Sequence, residues 1–317
     1  MGKFRTTAFL LALSLSSVGM AQPQEAIEPQ PTPRVVGCDQ AYDSLPYGAL
    51  PDLLDAQAPV DRRERALQAY LKLEGAKECP EYGYTVGLLY RFGPDMPGNL
   101  LPRDLDRARQ LILAMAEAGH LQAYADLAEM EMVHGQYRES MKWTQVYLYY
   151  VKNIRMPQSS DGRMMQFDRS AYSGHLLNRA EVVWRWQKPV LPRRRVSEDL
   201  TAYLASTEER VAPLIGGRTR GGIDLGAAPR VVVEPGECLI RPLDRIGAAT
   251  ASYVLEVQPS GVVSRILVEN FVPNMDAAEL LKSCVRRYVF EPFDGQQPLL
   301  TRITLTYGSS EGASFRR

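Results

Sequence analysis

The chain has 317 residues, 45% of them hydrophobic, which is enough to build a core in each of two domains. Its 37 lysines and arginines balance 37 aspartates and glutamates, so no overall field draws it to an anionic polymer or membrane. A folded protein is expected, and nucleic acid is not expected among its partners.

The opening stretch "MGKFRTTAFLLALSLSSVGMAQ" places Lys3 and Arg5 ahead of an apolar run from Ala8 to Leu15, with small residues at Gly19 and Ala21. That order reads as a secretory signal peptide over residues 1–21, cut after Ala21. The run is shorter than the roughly 18 apolar residues that spanning a bilayer requires, and an uncleaved anchor is the alternative reading. "VVGC" at Val35–Cys38 lies behind a proline-rich spacer, so lipidation of Cys38 is not expected. Residues 22–37, which begin "QPQEAIEPQPTPR", read as a tether. The expected location is the periplasm.

From residue 38 to residue 213 the pattern is helical. "RRERALQAYLKLEG" puts Ala66, Leu67, Tyr70 and Leu73 on one face and stops at Gly75. The helices that follow come in pairs, and the first members of two pairs end at Gly93 and Gly135, 42 positions apart. That interval falls in the range of helix-pair repeats. Gly83, Gly87, Ala123 and Ala128 are small enough for neighbouring helices to approach closely. Later, "VSEDLTAYLASTEERVAPLI" suggests a helix capped by Ser197 with Glu198 and Asp199 in its first turn. "GGRTRGGIDLGAA", Gly216 to Ala228, then interrupts the pattern with five glycines, and residues 214–229 are read as a linker.

Over residues 230–308 the periodicity becomes extended. "SYVLEVQPSGVVSRILVEN" predicts two strands joined by a Pro-Ser-Gly turn. "NMDAAELLKSCVRRYVF" predicts a helix, and "LLTRITLTY" a last strand. Between them "FEPFDGQQP", Phe290 to Pro298, is a stiff joint: two prolines restrict the backbone, and Phe290 and Phe293 are placed to plug the helix end into the core. Residues 309–317 are expected to be a disordered tail.

Two resemblances attach to these residues. "AEAGHLQAYADLAEM" resembles the joint between units of the Sel-one-like branch of tetratricopeptide repeats, over Glu81 to Tyr150. The resemblance implies an α-solenoid whose concave face binds another protein. The turn glycine Gly261, the "MDAAELLKSC" helix, the "FEPF" joint and the closing "ITLTY" resemble the TonB C-terminal domain, from about Glu237 to Tyr307. The expected architecture is multidomain, an all-α helical-repeat solenoid followed by a small α+β domain. The TonB resemblance further implies that the last strand, through Leu300, Thr301, Arg302, Ile303, Thr304 and Leu305, receives an extended partner segment by strand addition. Read without the resemblance, the same strand is a structural edge protected by Arg302.

Four cysteines, Cys38, Cys79, Cys238 and Cys284, follow the signal peptide, and an even number in an exported chain suggests disulfides. Three connectivities exist. The Cys79–Cys238 interval crosses the expected domain boundary, which favours Cys38 with Cys79 and Cys238 with Cys284. Zinc-like ligand spacing is lacking, so no metal is expected. His120, His134 and His175 are too few and too scattered for a metal cluster, and His120 reads as a helix cap. No nucleophile elbow, zinc-protease or phosphate-loop motif occurs, so neither catalysis nor a cofactor is expected. The function expected is that of an adaptor joining periplasmic or membrane-embedded envelope proteins, in the setting of TonB-dependent transport. The competing readings are a cell-wall-acting enzyme with a cleft near Glu181, Trp184, Trp186 and the arginines of "PRRRV", and a self-associating structural protein.

Overall fold

The computed structural model describes residues 44–155, 193–217, 230–233 and 248–308, with Cys38, Leu176, Val182 and Arg185 as single positions. The expected signal peptide, tether and tail lie outside the described residues, as do Trp184, Trp186 and Glu181. The helices are α1 (Ala49–Leu54), α2 (Val60–Leu73), α3 (Pro80–Phe92), α4 (Leu105–Glu117), α5 (Leu121–Val133), α6 (Tyr137–Tyr150) and α7 (Arg193–Gly217). They are followed by β1 (Val231–Val233), β2 (Ala248–Val257), β3 (Val263–Val272), α8 (Met275–Val285), β4 (Val289–Phe290) and β5 (Leu299–Gly308). The protein thus has a helical region and a small α+β region.

Local chemistry explains where the helices begin and how they pair. Pro80 takes the first turn of α3, where its missing N–H costs nothing. Asp104 caps α4, its side chain accepting from the Arg107 amide at 2.9 Å. α3 packs on α4 at Gly87: a Cβ there would sit 3.0 Å from Leu111 Cβ and 3.2 Å from Ile112 Cγ1, so the small residue sets the approach. α5 is buried without a break from Ala123 to Met132, which makes it the central helix of the layer. Around it, Tyr203 packs edge to face against both Tyr124 and Trp143, and the Tyr124 and Tyr203 hydroxyls are 2.9 Å apart.

α7 departs from the sequence expectation at both ends. It starts at Arg193, so Ser197 lies inside the helix and is not its cap, and Asp199 is engaged laterally by Arg138 of α6 at 2.7 Å. It also runs through Pro213 to Gly217, into the segment read as linker. The reason is burial: Val211 and Ile215 are both fully buried, and packing overrides the weak helical propensity of the final glycines. Residues 218–229, the rest of the expected linker, lie outside the described residues.

The main sheet is antiparallel with order β3-β2-β5, and Tyr253 of β2 lies between Val268 and Ile303. α8 covers the Tyr253 face, and the Tyr253 hydroxyl donates to the Ala278 carbonyl at 2.6 Å. Asn274 caps α8 by accepting from the Ala277 amide at 3.0 Å. The "FEPF" joint does more than stop a helix. Its Phe290 amide donates to the Gly261 carbonyl at 3.1 Å and its Phe293 amide to the Pro259 carbonyl at 3.0 Å, which pins the β2–β3 turn. Gly261 has φ +81° there, and a Cβ would lie 2.1 Å from the Phe290 oxygen, so only glycine fits.

Side chains alternate across the sheet, so Val254 and its neighbour Arg302 face away from α8, toward Tyr70 of α2 and Tyr84 of α3. Phe92 of α3 stacks on Phe271 of β3 at 4.0 Å. Helical and sheet residues therefore share one continuous core, and residues Arg34–Arg317 form one compact unit.

Candidate functional site

β5 is ten residues long and is paired with β2 from Leu299↔Val257 to Gly308↔Ala248. Its other side carries no strand among the described residues. Of the six positions anticipated for partner binding, Thr304 is exposed, Leu300, Ile303 and Leu305 are half-buried, and Thr301 is buried. The Thr304 hydroxyl lies 2.7 Å from that of Ser252 on β2.

Arg302 does not protect the edge with an exposed charge. Its side chain is only 11% exposed and turns inward, its Nε and Nη2 each donating to the Glu269 carboxylate of β3 at 2.7 Å. Burial works against the guanidinium's charge, but Glu269 outweighs it and holds the pKa above the ordinary arginine value. The paired fork spans β2, so β5 and β3 are tied together beneath the central strand.

A second buried group joins that sheet face to the helices. The Asp126 carboxylate of α5 accepts from the Tyr84 hydroxyl at 2.6 Å and from Asn270 Nδ2 of β3 at 2.7 Å. Arg91 of α3 lies 3.5 Å from the carboxylate and donates to Asn270 Oδ1 at 3.2 Å. Burial pushes the Asp126 pKa up, although Arg91, Tyr84 and Asn270 oppose that. The Tyr84 hydroxyl is pushed well above its ordinary value, first by burial and then by the Asp126 charge. Tyr84 and Asp126 are 42 residues apart, the interval that separates Gly93 from Gly135. Asp126 is 1% exposed, Arg91 4% and Glu269 3%, and these charges fasten layers together.

The sequence reading did not single out these groups. The available signal was α5 itself: a helix apolar on every side leaves Asp126, Glu129 and Glu131 no route to water, so each must find a partner inside. Glu131 finds Arg109 of α4, with Nε at 2.6 Å. His120 stands at the N-cap position of α5 but makes no capping bond through its side chain. It is buried, with its ring centroid 5.8 Å from that of Tyr84, because the core beneath α3 takes the imidazole inward. His134 sits at the other end of α5, where burial lowers its pKa, and His175 lies outside the described residues.

Cys38 and Cys79 form a disulfide, with Cα atoms 5.5 Å apart. Their sulfurs lie near Glu81 within 4.8 Å, but the disulfide consumes the thiolates that a metal would need. Cys284 is also disulfide-bonded, and Cys238 lies outside the described residues. No described helix is long and apolar enough to cross a membrane. The chain matches no protein-family model, no curated protein and no solved structure.

Proposed function

We propose that this protein is an exported, periplasmic adaptor of a Gram-negative envelope that binds an extended segment of a partner protein by strand addition to β5. The observation that carries the reading is a ten-residue strand with a neighbour on one side only among the described residues. Its outward N–H and C=O groups would supply affinity, and the side chains around Thr304 selectivity. The reading takes the α+β region as TonB-C-terminal-like and the helices as a short Sel-one-like solenoid, whose surface holds a second partner. The Cys38–Cys79 disulfide is consistent with an oxidising compartment. Because helices and sheet share a core, partners on the two surfaces would be held at a fixed separation.

The test is photocrosslinking in living cells with the probe at exposed Thr304, and with a second probe at buried Thr301 as the control. A discrete protein captured at Thr304 and not at Thr301 supports strand addition. Capture of nothing at Thr304 by a folded, exported chain overturns it.

A further inference from the structure

The accessibility of β3 changes midway along its length. Residues from Leu267 to Val272 are buried, whereas Val263 to Ile266 remain accessible. The division has a cause: Phe92 and Arg91 of α3 reach Phe271 and Asn270 in the second half, while α1 stops at Leu54. Beside the accessible half is a groove of about 380 Å3, lined by consecutive β3 residues from Val263 to Leu267, by Asp55, and by Lys282 and Arg286 of α8. β3 has β2 on one side and no strand on the other among the described residues. An open strand edge therefore lies beside a helix that presents two cations.

The residues that line the groove carry three cations, Arg265, Lys282 and Arg286, against one acid, Asp55. Arg265 lies 3.2 Å from Asp55 and 2.9 Å from Glu256, so its charge is shared by two carboxylates and the cations left to face a ligand are those of α8. Lys282 holds Glu279 at 3.3 Å within a single turn of α8, a surface pair that constrains it little. Arg286 is exposed and makes no ion pair among the described residues.

We infer that this groove binds a short extended acidic peptide segment, added as a strand to Val263–Leu267 with its carboxylates toward Lys282 and Arg286. Five residues at about 3.3 Å each give a platform of about 17 Å, which the covered half of β3 ends. Backbone hydrogen bonding would recognise the extended shape, and the α8 cations would select acidic over basic side chains. This edge is the opposite one from β5, so the inference does not depend on the function proposed above.

The test uses the whole exported chain and a fluorescein-labelled peptide of alternating valine and glutamate, followed by fluorescence anisotropy. Saturable binding that weakens with added salt is expected. The double reversal Lys282→Glu/Arg286→Glu should weaken it about tenfold or more and create affinity for the valine–lysine counterpart. Methylating alternate peptide nitrogens should remove binding, and a photoreactive peptide should attach to residues 263–267 or to α8. Arg286→Glu alone provides the charge test if circular dichroism shows the double variant unfolded. Lack of saturable binding, indifference to charge reversal, tolerance of N-methylation, or attachment to β5 each overturns the inference. Attachment to β5 would leave the function proposed above standing.

Discussion

β3 and β5 flank the same central strand, yet the helical layer treats them differently. Over its second half β3 is clamped by an aromatic stack and by the Arg91–Asp126–Asn270 group, whereas β5 is held from beneath by Arg302; neither has a second strand neighbour among the described residues. The difference teaches that the sheet is mounted on the helices through β3. An edge rigidly mounted on one side is a suitable platform for recognition on the other, because the strand does not have to be ordered when a partner arrives.

The largest expected effect comes from breaking the mount. Asp126→Ala would leave Arg91 buried without its carboxylate, and a loss of ~3–5 kcal/mol of stability is expected from such half-broken pairs. Urea unfolding would measure it. A change below about 1 kcal/mol would mean that the clamp on β3 is not what distinguishes the two edges. Next comes the Arg302–Glu269 tie. Arg302→Ala alone should cost ~3–5 kcal/mol, because Glu269 stays buried, whereas the paired replacement Arg302→Met/Glu269→Leu should recover at least that loss, since an apolar pair fits the same space. If both variants are equally unstable, the tie matters through its hydrogen bonds to surrounding groups and not through its charge.

Much of this arrangement was legible from residue patterns and some was not. Gly83 and Gly87 marked where neighbouring helices approach, because close packing leaves a trace in residue size. The hairpin, α8 and β5 were legible from alternation and from the stiff joint at "FEPF". The mount was not, because Asp126, Arg91 and Asn270 come together across up to 179 positions and satisfy one another only in three dimensions. Arg302 was misread for the same reason: a charge on a predicted edge strand looks like a guard against aggregation, and only its partner Glu269 shows that it turns inward. The end of α7 was misplaced because Gly216 and Gly217 signal a break locally while Ile215 is drawn into the core.

A subtler sharpening uses pH. The folded protein holds the Asp126 proton more tightly than the unfolded chain, so folding takes up a proton between the two pKa values. Stability should therefore fall as pH rises from near the ordinary value of 3.8 through the raised folded value, and the contribution should then level off. Urea midpoints across that range would show this descent reduced in Asp126→Asn, which cannot ionise. An identical profile in the two proteins would locate the titration elsewhere.

The smallest effect belongs to the open edge. Ser252 and Thr304 face each other across β2 and β5 with hydroxyls 2.7 Å apart, exposed to water that competes for the same bonds. A double-mutant cycle through Ser252→Ala and Thr304→Ala should give a coupling of only ~0.2–1 kcal/mol. That weakness matters for recognition, because an edge side chain engaged so lightly can turn toward an incoming strand at little cost. Repeating the cycle with a bound β5 partner tests this directly: the coupling should shrink further if Thr304 exchanges Ser252 for the partner. A coupling that persists unchanged would show that the partner reads the β5 backbone and leaves this hydroxyl with β2.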